Sequence, residues 1–173
     1  MHGGVASVPG DKLIGLDERR WDTPTVIRIA GCEQATLLQW RRKYGFLGGA
    51  EPGRGRVGYR HSVFEICSVC AAVAMIRHGL DPADACSQSE WLVIHFQGLI
   101  TKEIDSSMLA FHRGGSDPGV RASFYHLGPD QTLAEVIGKT PNGIATILDL
   151  RKIINHVLSA LGLTVVKEKS NSG

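Results

Sequence analysis

With 173 residues, 43% of them apolar, the chain can bury a sizeable core, which excludes wholesale disorder. No apolar run reaches the ~20 residues of a bilayer-crossing helix. Residues 1–10 lack the basic start and apolar stretch of an export signal, so a cytoplasmic protein with no membrane partner is expected.

The net charge of +2 hides an asymmetry. Residues 19–78 hold ten bases against four acids, a net +6, while the segments on either side each come to −2. Nine of those ten bases are arginines, which suit phosphate oxygens better than lysines do. A polyanion partner for this middle segment follows, with a solvated charged face as the plain alternative.

In chain order, residues 1–22 read as a flexible N-terminal arm. Thr23-Pro24 is a helix start, and Val26, Ile27, Ile29 and Ala30 make a short apolar helix that Gly31 stops. Glu33 reopens a helix that runs to Tyr44-Gly45, with Ala35, Leu37, Leu38, Trp40 and Tyr44 as its apolar residues. Two short helices joined by a glycine turn have the form of a helix-turn-helix. The second helix has the makings of a recognition helix. Gln34, Gln39, Arg41, Arg42 and Lys43 are its candidate DNA contacts, with Arg28 on the helix before it. Gln suits adenine in the major groove, and Arg suits guanine or phosphate. Not all of these side chains can face a groove at once, because a helix spreads them around its circumference.

Residues 48–60 form a glycine-rich loop studded with Arg54, Arg56 and Arg60 and closed by Gly58-Tyr59. Glycines let such a loop approach a surface closely, and its arginines can straddle phosphates, which is what a wing needs. Tyr59 joins the candidate contacts. Ser62-Val63-Phe64-Glu65 is a capping box opening a broad apolar helix that ends near His78-Gly79. Asp81-Pro82 starts one more short helix.

The order helix, glycine turn, "ATLLQWRRKYGF", arginine wing, "GYRHSVFEI", long helix and "HGLDPADA" resembles the DNA-binding module of MerR-type regulators. The matching positions include Leu37, Trp40, Arg42, Tyr44, Gly45, Gly58, Tyr59, Arg60, Ser62, Ile66 and Gly79, and the resemblance covers residues 23–88. It implies a sequence-specific transcriptional regulator that binds double-stranded DNA as a homodimer on a two-fold operator, with RNA polymerase as a candidate further partner. The chain departs from the family at Leu38, where a basic residue is usual, at Arg41, where an acid is usual, and in a wing lengthened over Gly48 to Pro52.

The expected fold class is a mainly α winged helix-turn-helix N-terminal domain over residues 23–89, then a small α+β C-terminal domain over 90–173 serving an effector or dimerisation. In the latter, Trp91–Phe96, Met108–His112, Ala122–His126 and Ile144–Leu148 read as strands, and Gln131–Ile137 and Asp149–Leu161 as helices. A wholly helical half is the runner-up, since short apolar runs are ambiguous. The stripe Leu150, Ile153, Ile154, Val157, Leu158, Leu161 either packs on its own domain or meets a second copy. No nucleophile elbow, phosphate loop or telling pair of carboxylates is present, so neither an enzyme nor a cofactor is expected. Two alternatives stand beside DNA binding. One is a protein-interaction adaptor that reuses the helix-turn-helix. The other is a metal- or thiol-responsive regulator using Cys67, Cys70 and Cys86, although one CxxC on a packed helix is a weak metal signal and no metal ligand set is assigned.

Overall fold

Asp22 opens the first helix: its carboxylate accepts from the Thr25 N–H at 3.0 Å, and Pro24 sits in the first turn, where its missing N–H costs nothing. In the computed structural model, which describes residues 15–48, 59–104, 107–113, 122–127, 132–138, 140 and 145–163, this helix is α1, Thr23–Ala30. Gly31 ends it in left-handed backbone, φ 66°. The second helix, α2, spans Gln34–Tyr44 and ends the same way at Gly45, φ 69°. A tight turn at Phe46–Gly48 then tucks Phe46 edge-on against Trp40, ring centroids 6.0 Å apart. Leu47 is held in left-handed backbone there, and its N–H donates to the Glu90 carboxylate.

Strand β1, Trp21–Asp22, pairs antiparallel with β2, Arg60–His61, placing Trp21 opposite His61. The Arg20 N–H donates to the His61 carbonyl at 3.0 Å, and the Val63 N–H to the Leu16 carbonyl at 2.9 Å. Residues 15–22 are therefore not a loose arm. Their backbone supplies the partner that β2 needs, and Leu16 and Trp21 pack on the core. Residues 1–14 lie outside the described residues.

Helix α3, Val63–Arg77, starts with the capping box read from the sequence. Ser62 Oγ accepts from the Glu65 N–H at 3.2 Å, and Glu65 Oε2 accepts from the Ser62 N–H at 2.9 Å. Its buried residues, Phe64, Ile66, Cys67, Val69, Ala71, Ala72, Val73 and Met75 among them, run around nearly the whole helix. A helix apolar all round has to be enclosed. It packs against α1, against α4 and against α6.

The fourth helix, α4, spans Pro82–Thr101, capped by Asp81. It is long rather than short, and it overturns the strand expected at Trp91–Phe96. The buried set Ala85, Cys86, Ser89, Leu92, Phe96, Leu99 and Ile100 recurs at three- and four-residue steps, and those side chains share one flank only on a helix. α4 also runs unbroken through residues 89 and 90, where a domain boundary was expected, and one cluster of buried apolar side chains extends from Val26 to Leu158.

Beyond α4 the expected α+β pattern is present. Strands β3, Met108–Arg113, and β4, Ala122–Leu127, form an antiparallel pair with Leu109 opposite His126. After the short helix α5, Leu133–Gly138, strand β5, Thr146–Asp149, joins the other edge of β3, giving the order β4-β3-β5. Asp149 then caps α6, Leu150–Ala160, accepting from the Lys152 N–H at 3.1 Å. The α6 stripe packs within its own chain: Leu150, Ile154, Val157 and Leu158 are buried, with α3, α4 and β3 as neighbours. The described residues are thus mostly helical, with two small sheets among them. Among the described residues no helix is long and apolar enough to cross a membrane.

The register of α4 can be read from stability. A strand would put Leu92, Ile94 and Phe96 on one face, whereas the helix buries the first and last and leaves Ile94 60% exposed. By urea denaturation, Leu92→Ala and Phe96→Ala are expected to cost about 2–5 kcal/mol each. At protein concentrations low enough for the monomer, Ile94→Ala should stay within about 0.5 kcal/mol. A large loss at Ile94 would contradict the helix.

Candidate nucleic-acid interface

At about 3.6 residues per turn, α2 has two unlike sides. Leu37, Trp40, Arg41 and Tyr44 fall together, and the first three are buried. Gln34, Ala35, Leu38, Gln39, Arg42 and Lys43 occupy the opposite half, all exposed except the half-buried Leu38. Gln34, Gln39, Arg42 and Lys43 are thus all in solvent, with Arg42 and Gln39 central and Gln34 and Lys43 at the two edges of that half. Lys43 extends over the Tyr44 ring, 5.3 Å from its centroid. Arg28 is exposed in the last turn of α1.

Arg41 does not join them. It is only 3% exposed and turned toward β2, where its Nη2 lies 3.1 Å from His61 Nε2. Tyr59 covers it, the ring centroid 4.1 Å from the guanidinium carbon, a cation–π contact. Its Nε and Nη1 are buried with no hydrogen-bond partner. Arg41 and Tyr59, both expected at the DNA surface, are thus committed to each other. The reason is helical geometry: Arg41 follows Trp40 on the inward side, and its long side chain reaches past the core edge to β2.

His61 supports that buried charge. It is 1% exposed, and burial above all, then the charges of Arg41 and Arg19, lower its pKa to about 4. The ring is neutral near pH 7 and so offers Arg41 a lone pair. For the same reason its approach to Glu65, 3.9 Å, is not an ion pair at that pH. Glu65 instead takes Arg19 Nη2 at 2.6 Å while completing the α3 cap. Burial likewise pulls the Arg41 pKa down, opposed by Tyr59 and Glu65. Nothing local in the sequence marks His61. It stands opposite Trp21 across the β1–β2 ribbon.

The other bases divide by what they touch. Arg20 pairs with Glu18, and Arg77 donates to the Gly31 carbonyl at 2.8 Å. Arg60 remains exposed, though its Nη1 donates to the Arg20 carbonyl at 3.1 Å. Arg54 and Arg56 lie outside the described residues.

The cysteines sit in poor surroundings for thiolate chemistry. Burial pushes Cys67 well above its ordinary pKa, and Cys70 and Cys86 up to about 12; Cys32 is raised for the same reason. A protonated thiol is neither a strong nucleophile nor a good metal ligand. Among the described residues no group of three or more His, Cys, Asp or Glu is gathered to hold a metal. No protein-family model matches the chain, and no curated protein matches it.

The His61 pocket predicts a pH dependence. Its folded pKa, about 4, lies below the ~6.5 of an unfolded histidine, so the unfolded chain binds more protons between those values. The His61 contribution is complete above about pH 6.5 and is lost as pH falls toward 4. The urea midpoint should drop over that window, and His61→Gln should make the drop shallower. An unchanged profile in His61→Gln would show that this ring does not govern it.

Proposed function

We propose that the chain is a sequence-specific regulator that binds double-stranded DNA as a winged helix-turn-helix, with α2 as its recognition helix and residues 48–60 as its wing. One observation carries the reading: the solvent-facing half of α2 presents Gln34, Gln39, Arg42 and Lys43 together, on a helix fixed from behind by buried Leu37, Trp40 and Phe46. A helix of this width fits the major groove, where Gln pairs bidentately with adenine and Arg with guanine or phosphate. Arg28 and Arg60 are exposed on neighbouring elements and add phosphate contacts, as do Arg54 and Arg56 in the wing. The resemblance to the MerR-type module supports the same arrangement, with RNA polymerase as a further partner at a promoter.

Arg41 and Tyr59 take a different role. Their stack, with His61 beneath it, ties the inward side of α2 to the strand that closes the wing. That tie fixes the start of β2 relative to the proposed recognition helix.

The proposal includes a homodimer, because each small module reads one half-site. The α6 stripe is occupied within the chain, so the dimer contact falls elsewhere. α4 exposes Trp91 at 67% and Ile94 at 60%, one helical turn apart, and these are the side chains for a second copy to cover.

Selection from a random DNA pool should yield a two-fold site bound with strong salt dependence. Arg42→Ala and Lys43→Ala should weaken binding to all sequences and lower the salt slope by about one unit per lost phosphate contact. Gln34→Ala or Gln39→Ala should relax the preferred sequence instead. A chain with no salt-dependent DNA binding would be read as a protein-interaction adaptor. In light scattering, Trp91→Ser should shift a full-length dimer toward monomer; a wild-type monomer even with DNA present would refute the dimer.

A further inference from the structure

A cavity of about 590 Å³, open to solvent, lies where α1 and α3 meet β5 and α6. Sites that bury small-molecule ligands span roughly 300–1,000 Å³. Its apolar walls come from three places: Ile29 at the end of α1, Val73 and Ala74 on α3, and Ile147 and Ile153 on β5 and α6. The cavity is thus shared between elements that lie far apart in sequence.

The polar groups at its edge are unbalanced in charge. Arg77 and Lys152 line it as cations, and Asp149 is the acid beside them. The Asp149 carboxylate is already engaged as the α6 cap, accepting from the Lys152 N–H at 3.1 Å. His156 is spent on the α1 end, where its Nε2 lies 3.0 Å from the Ile29 carbonyl. Arg77 donates one N–H to the Gly31 carbonyl at 2.8 Å, and a guanidinium has five N–H donors. Lys152 is exposed, and among the described residues no acid but Asp149 lines the cavity.

We propose that this cavity is a binding site for a small amphipathic monoanion, a carboxylate on an apolar body. The body fills the space between Val73, Ala74, Ile147 and Ile153. The carboxylate lies between Arg77 and Lys152, accepting charge-assisted hydrogen bonds that neither an alcohol nor an amine of the same skeleton can replace. The ligand touches Arg77, and Arg77 holds the Gly31 carbonyl, so occupancy reaches the turn between α1 and α2 through one side chain. Binding itself does not depend on what α2 contacts.

The test uses the full-length chain, without DNA, and two probes: octanoate and 2-naphthoate. Backbone amide NMR should show saturable shifts with at least one of them, centred on Gly31, Val73 and Ile153. Octanol should bind at least about tenfold more weakly than octanoate, and octylamine should give no saturable shift, as expected when a charge-assisted contact is lost. Lys152→Glu changes an exposed side chain, so the fold is retained, and should weaken binding by about tenfold. Ala74→Phe fills the cavity and should abolish saturation; if that variant fails to fold, Lys152→Glu carries the test. Absence of saturable shifts with both carboxylates, or shifts centred elsewhere, would overturn the site. Equal binding of octanol, or no effect of Lys152→Glu, would overturn the anion assignment.

Discussion

The enclosure of α3 organises the rest of the structure. Its buried side chains lie around nearly the whole helix, so water must be excluded from every side at once. α1 covers one flank, the long α4 another, and α6 with β5 the remainder. Once α1 is seated there, the Gly31 turn directs α2, and α2 buries Leu37 and Trp40 against its neighbours while leaving its other half in solvent. The surface proposed for DNA is thus a consequence of what α3 requires. One core serves both halves of the chain, and α6 meets the end of α1 directly, where His156 Nε2 lies 3.0 Å from the Ile29 carbonyl.

A buried charge stands at the edge of this arrangement. Burying an arginine is costly unless it is paired and hydrogen-bonded. Arg41 is met by a neutral histidine and an aromatic face rather than a close carboxylate, and two of its nitrogens have no partner. Such a group contributes little to stability for its cost. Its value is directional, since a guanidinium stacked on Tyr59 fixes where β2 begins relative to α2. Glu65 and Arg19 complete the surroundings, joining the α3 cap to the segment before β1.

The local signals in the sequence were legible, and the long-range ones were not. The stops at Gly31 and Gly45 and the Ser62–Glu65 capping box all involve residues within a few positions of one another, and each occurs as read. The strands β3, β4 and β5 also follow from short β-forming runs between turn residues. Trp91–Phe96 misled because a short, mostly apolar run taken alone fits either structure; the helical spacing shows only when the window runs from Ala85 to Ile100. The crowding of five candidate contacts on α2 was apparent, and the structure turns one of them, Arg41, inward. Arg41 there meets His61 and Tyr59, and His61 is set opposite Trp21 by a strand pairing that no local pattern announces.

Whether the exposed half of α2 is a DNA surface is most directly measured by amide chemical-shift mapping of the full-length protein titrated with its selected duplex. The largest shifts should fall on Gln34, Gln39, Arg42 and Lys43, with the buried Leu37 and Arg41 less affected and the α4 segment Ser87–Ile94 changed only as far as the dimer is. Shifts concentrated on α4 or on the C-terminal sheet, with the outward side of α2 silent, would contradict the assignment.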